Sequence, residues 1–172
     1  MADVSIEATP DVEIPPDEIP EAVPGTSRVI EANGVRLHVV EAGPEDGKLL
    51  VLLHGFPEFW YGWHETIGPL ASAGYRVVVP DQRGYNLSEK PPAVADYRID
   101  ELARDVLGVI DAYGRDRAAV AGHDWGAAVG WWLAIHHADR PSQVVAVNVP
   151  HPTVFARAHR APWTPRPKSG HR

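Results

Sequence analysis

The segment Ala118-Ala119-Val120-Ala121-Gly122-His123-Asp124-Trp125-Gly126-Ala127-Ala128 constrains this chain more than any other. A short apolar run of strand character ends at a glycine, and a run of helical character begins just after a single acidic residue. A strand that turns directly into a helix forces its hinge residue into a strained backbone region. Glycines two positions before and two after the hinge let the helix cross close to the sheet. The hinge side chain is then held in the open at the amino end of a helix, where unpaired amides and the helix dipole favour an anion. An aspartate is ionised at neutral pH and needs no base before it attacks. In isolation, G-x-D-x-G reads first as a capped turn. Placed between this strand and this helix, with two further motifs in agreement, it makes Asp124 the candidate nucleophile.

The frame around the elbow is read from periodicity. Residues 28–32 and 35–41 are short strands around Asn33-Gly34, a dipeptide suited to a type I′ hairpin. Leu49-Leu50-Val51-Leu52-Leu53 is continuously apolar, as in a strand covered on both faces. A helix is expected over 62–73, a strand over 75–80, and a helix over 99–113 with Leu102, Val106, Val109, Ile110 and Tyr113 on one face. The strand 118–122, the helix 126–137 and a buried strand over 144–149 follow, and 152–160 is suited to no more than a short helical turn. Strands alternating with helices through short links predict an α/β fold, a mainly parallel sheet with helices on both sides in three layers, α/β/α.

Two loops flank the elbow. His54-Gly55-Phe56-Pro57 follows the 49–53 strand, so it lies with the elbow at the carboxyl ends of strands, where open α/β sheets place ligands. The amides of Phe56 and Trp125 are then able to converge on one oxygen as an oxyanion hole. His54, before a glycine at a strand end, reads as an organiser of the loop. Asp81-Gln82-Arg83-Gly84-Tyr85 follows the 75–80 strand, and its acid and base read as braces for neighbouring loops. Loop and elbow support is thus expected from His54, Gly55, Pro57, Asp81, Arg83, Gly122, His123 and Gly126. Phe56, Trp60 and Trp125 are the candidate substrate-contacting aromatics, although Trp60, like Trp63, reads equally as a packing residue. Trp131 and Trp132, inside a helix, read as packing residues.

Composition removes other chemistries. The chain has 172 residues and no cysteine, which excludes disulfides, thiolate catalysis and cysteine-held metals. No metal or cofactor is expected, since His136 and His137 point about 100° apart on their helix and no phosphate-cradling glycine loop is present. The net charge of -7 is uneven. Residues 1–26 hold seven acids, five prolines and no base, and read as an extended tail. Arg157, Arg160, Arg166, Lys168 and Arg172 sit in a proline-rich end over 151–172 that has no acid. The core is expected over 27–150. No large basic field exists to meet nucleic acid. No apolar run approaches the roughly 18 residues of a membrane span, and a cytoplasmic location is expected.

The motifs His54-Gly55-Phe56-Pro57-Glu58-Phe59-Trp60, Asp81-Gln82-Arg83-Gly84-Tyr85 and Gly122-His123-Asp124-Trp125-Gly126 match, in order and spacing, those of α/β-hydrolase-fold epoxide hydrolases. Residues 28–155 resemble the N-terminal half of that family. The resemblance implies that Asp124 opens an epoxide to a vicinal diol through an alkyl-enzyme ester, with the amides of Phe56 and Trp125 as the oxyanion hole. It implies a small apolar epoxide or halogenated substrate. Haloalkane and haloacetate dehalogenases share the aspartate and are the close alternative; a non-catalytic half-fold binding protein is the other. Asn148-Val149-Pro150-His151-Pro152 follows the epoxide hydrolase manner. The family's cap domain, relay acid and catalytic histidine belong downstream of the 144–149 strand. The chain as written is therefore expected to be truncated, and inactive or limited to one turnover. The 144–149 strand is expected to present an edge prone to self-association.

Overall fold

The computed structural model describes residues 25–160, the last three by backbone alone. The acidic tail expected over 1–26 lies outside the described residues except for Gly25 and Thr26, as does the basic tail from 161 onward. Six strands form one sheet: β1 (Thr26–Ala32), β2 (Val35–Ala42), β3 (Lys48–Leu53), β4 (Tyr75–Pro80), β5 (Ala118–His123) and β6 (Pro141–Val147). Their spatial order is β1-β2-β4-β3-β5-β6. The pairs β1/β2 and β2/β4 are antiparallel, and the remaining three are parallel. The hairpin joining β1 to β2 turns at Asn33 and Gly34, both at positive φ (51° and 74°), as a type I′ turn requires. Asn33 also ties the hairpin to Asp105, whose Oδ1 accepts from its Nδ2 at 3.0 Å.

Three helices pack on the sheet, α1 (His64–Ser72), α2 (Ile99–Ala112) and α3 (Trp125–His136), and α4 (Pro152–Arg160) follows β6. The helix expected over 62–73 begins as a separate 3₁₀ turn at Trp60–Trp63. The β3 sequence shows why the core has two halves. Alternate residues of a strand face opposite sides, so Leu49, Val51 and Leu53 join Val106, Ile110, Val129 and Leu133 from α2 and α3. Leu50 and Leu52 meet Trp60 and Ile67 on the α1 side. The three-layer α/β/α arrangement follows from that alternation.

Three expectations are corrected at the sheet's far edge and just beyond it. The strand expected over 144–149 runs from Pro141 to Val147, because its ladder to β5 spans Ala118↔Pro141 through His123↔Val147. It ends where β5 ends, and Asn148 then leaves strand geometry at φ 72°. Proline is tolerated as the first residue of a strand. Nor is β6 buried: Val145 and Val147 are 55% and 43% exposed. Beyond it, 152–160 forms a full nine-residue helix in place of a short turn, with Val154 exposed.

Candidate active site

Asp124 stands between β5 and α3 at φ 50°, ψ -117°, a strained position for a residue with a Cβ. The reason the chain accepts it lies in the two glycines. A Cβ on Gly122 would fall 2.2 Å from the carbonyl oxygen of Gly126, and one on Gly126 would fall 2.3 Å from that of Leu53. β5, the start of α3 and the end of β3 therefore touch through their main chains, and only glycine fits. The main-chain oxygen of Asp124 accepts from the amides of Ala127 (3.0 Å) and Ala128 (3.1 Å), starting α3. Its side chain makes no cap bond to that helix.

The carboxylate turns instead to the loop after β3. The Phe56 amide donates to Asp124 Oδ1 at 3.1 Å. That bond foremost, with the Trp125 amide, holds the Asp124 carboxyl below the usual carboxylate range. No side chain among the described residues hydrogen-bonds to it. Phe56 and Trp125, 66% and 50% exposed, place two large apolar surfaces beside an open anion. Trp60, expected as a third, is 5% exposed and packs with Val40, Leu50, Leu52, Ile67, Val77 and Val79. Its own main-chain amide is pinned by a buried carboxylate, which draws the ring into the core.

Gly55 approaches Asp124 so closely that a Cβ on it would lie 2.6 Å from Asp124 Cβ. The Phe56–Pro57 peptide that follows is cis. Glu58, which sequence reasoning passed over, closes this loop: its Oε2 accepts from the Gly55 amide at 3.2 Å and lies 3.2 Å from His123 Nδ1. The clue was its position four residues after His54, where a turn brings a side chain back onto the loop's own amides.

His54 is fully buried. Its Nε2 accepts from the Gln82 amide at 3.0 Å, so the ring proton sits on Nδ1, which donates to the Gly55 carbonyl at 2.9 Å. Gln82 Nε2 returns a bond to the His54 carbonyl at 2.6 Å. Burial pushes the His54 pKa down. One neutral imidazole thus joins the loop after β3 to the turn after β4.

In that turn, Asp81 and Arg83 brace different elements and not each other. Asp81, fully buried, accepts from the Trp60 amide (2.8 Å), Asn86 Nδ2 (2.8 Å) and His38 Nδ1 (2.7 Å). Arg83 grips Asp105 of α2 with two bonds, Nε to Oδ2 at 2.7 Å and Nη2 to Oδ1 at 2.5 Å. Such a bidentate fork fixes orientation as well as distance. Tyr85 stacks edge-on with His54 at 4.9 Å, and burial together with the Asp124 charge raises its pKa. Trp131 spans to the Val149 carbonyl at 3.0 Å, and Trp132 packs on the core. No group of three His, Asp or Glu side chains among the described residues is arranged to hold a metal. No helix among them is long and apolar enough to cross a membrane.

A sheet of this order, carrying an acidic elbow beside main-chain donors, defines a class. The chain matches the model of the alpha/beta hydrolase fold over residues 48–166 and belongs to that family of hydrolases. Its relatives narrow the comparison. It is 55% identical over 126 residues to the AB hydrolase superfamily protein YfhM of Bacillus subtilis, covering 73% of this chain and 44% of that protein. It is 53% identical over 125 residues to epoxide hydrolase B of Mycobacterium tuberculosis, covering 72% of this chain and 35% of that one. The crystal structure of epoxide hydrolase A from Mycobacterium thermoresistibile superposes with a TM-score of 0.73 at 44% identity, over 78% of this chain and 44% of that one. The chain thus spans less than half the length of these relatives.

Proposed function

We propose that Asp124 opens an epoxide by forming an alkyl ester, the first half of epoxide hydrolysis to a vicinal diol. The observation that carries this reading is the pairing of a carboxylate kept ionised by the Phe56 and Trp125 amides with two exposed aromatic surfaces beside it. A carboxylate oxygen attacks an epoxide carbon, the ring C–O bond breaks, and the alkoxide takes a proton from solvent water. The same amides then face the ester carbonyl, where negative charge develops when water attacks it. The relatives named as epoxide hydrolases support the substrate class.

For this chain we read the alkylation step as the one its described residues equip. The water attack needs a free histidine base, and His54 has both ring nitrogens engaged while His123 is paired with Glu58. The ester should therefore accumulate. The test is intact mass after incubation with an aryl glycidyl ether: one added epoxide mass, mapped to Asp124, is expected. An adduct elsewhere, or an adduct formed only with a haloalkane, overturns the epoxide assignment. The uncharged edge of β6, with Val145 and Val147 exposed, supports self-association through strand pairing, readable by size-exclusion chromatography. A cytoplasmic location is the reading we propose, and the cysteine-free composition is compatible with it.

A further inference from the structure

Toward the opposite end of the sheet, Ser27 on β1 and His38 on β2 join Asp81, just past β4, in a chain of side-chain contacts separate from the Asp124 carboxylate. Ser27 Oγ on β1 lies 2.6 Å from His38 Nε2 on β2, and His38 Nδ1 lies 2.7 Å from Asp81 Oδ2. Asp81 only accepts, so the imidazole proton sits on Nδ1 and the Nε2 lone pair receives the Ser27 hydroxyl proton. The carboxylate cannot swing away, because the Trp60 amide and Asn86 Nδ2 hold it from the interior. His38 is 2% exposed, whereas Ser27 is only half-buried and follows Gly25 and Thr26, which line an open groove with Glu41, Gly43, Ala71 and Arg76. A hydroxyl, a base with a fixed tautomer and an orienting carboxylate are the parts of an activated nucleophile. The strands β1 and β2 are already paired from Thr26↔Glu41 to Ala32↔Val35, so the pairing does not depend on this serine.

We propose that Ser27, His38 and Asp81 form a second nucleophilic site, reactive toward small uncharged acyl and phosphoryl electrophiles with a good leaving group. The adjoining groove carries Glu41 and Glu45 against Arg76, with Glu41 paired to Arg76 at 3.1 Å, so it supplies no net positive charge for an anionic substrate. With a dialkyl phosphorofluoridate, the Ser27 oxygen bonds to phosphorus, the P–F bond breaks, fluoride leaves, and the hydroxyl proton passes to His38 Nε2. With an aryl acetate, the oxygen bonds to the carbonyl carbon, the bond from that carbon to the aryloxy oxygen breaks, and the aryloxide leaves with the proton carried by His38 Nε2. Water later hydrolyses the acetyl-serine ester to release acetate.

The probe is diisopropyl phosphorofluoridate on the 172-residue chain, read by intact mass and peptide mapping. One adduct on Ser27 is expected, absent in Ser27→Ala, with a labelling rate about 10²-fold slower in His38→Gln, the usual worth of a positioned base. Because His38→Gln removes a buried ring, the wild-type chain in urea provides the second comparison, and its Ser27 should be unreactive. No adduct on Ser27, or one formed as fast in His38→Gln or in urea, overturns the proposal.

Discussion

Two acidic turns at the carboxyl ends of β4 and β5, the parallel strands on either side of β3, received opposite treatment. Asp81, after β4, is fully buried, and donors from three separate segments saturate it: the Trp60 amide, Asn86 and His38. Asp124, after β5, meets main-chain donors and no side-chain donor, and faces the open side between Phe56 and Trp125. The residue type and the topological position are the same; what differs is whether the donors enclose the carboxylate or leave a face of it to attack. An enclosed carboxylate organises the protein around it, and a half-held one is available for chemistry.

The comparison breaks most visibly at the elbow itself. Asp124→Asn should abolish covalent epoxide capture, measured by intact mass, while its thermal unfolding stays close to wild type, since no side chain depends on that carboxylate. Asp81→Ala should do the reverse. It strands His38 Nδ1, Asn86 Nδ2 and the Trp60 amide in the core, and a urea unfolding series should show a loss of about 3–5 kcal/mol, as for other broken buried ion contacts. Next is Gly122→Ala, which drives a Cβ to 2.2 Å from the Gly126 carbonyl oxygen. Overpacking of this kind costs about 1–3 kcal/mol or more, and capture should fall with it because β5 and α3 must separate.

The smallest effect lies at the joint between the two turns. His54 is buried neutral with its pKa pushed down. Below the ordinary histidine range the unfolded chain binds a proton that the folded chain refuses, so stability falls as pH drops through that range and is fully present above it. Thermal melts between pH 8 and 5 should show this slope, and His54→Asn, which keeps a donor toward the Gly55 carbonyl, should flatten it. An unchanged slope would assign the acid sensitivity elsewhere.

The elbow is legible in the sequence because its requirements are local. Gly122 and Gly126 are spaced by the geometry of one strand meeting one helix, and the apolar runs on each side announce both elements. The β3 run and the amphipathic face of α2 are legible for the same reason. The start of β6 is not, because Ser142 and Gln143 have no strand propensity and join the sheet only through pairing with β5. Trp60 shows the limit at the site. An aromatic beside a ligand loop has the same composition whether it faces substrate or core, and the deciding contact, from its amide to Asp81, spans 21 residues. The His38–Asp81 contact spans 43, beyond what any periodicity carries.

Because Gly122, Gly126 and Leu53 touch through their main chains, Asp124 rides on the sheet and not on a loop. It has no private way to melt. On heating, loss of epoxide capture and loss of the far-ultraviolet helical signal should therefore trace one curve, and inactivation cannot run ahead of unfolding.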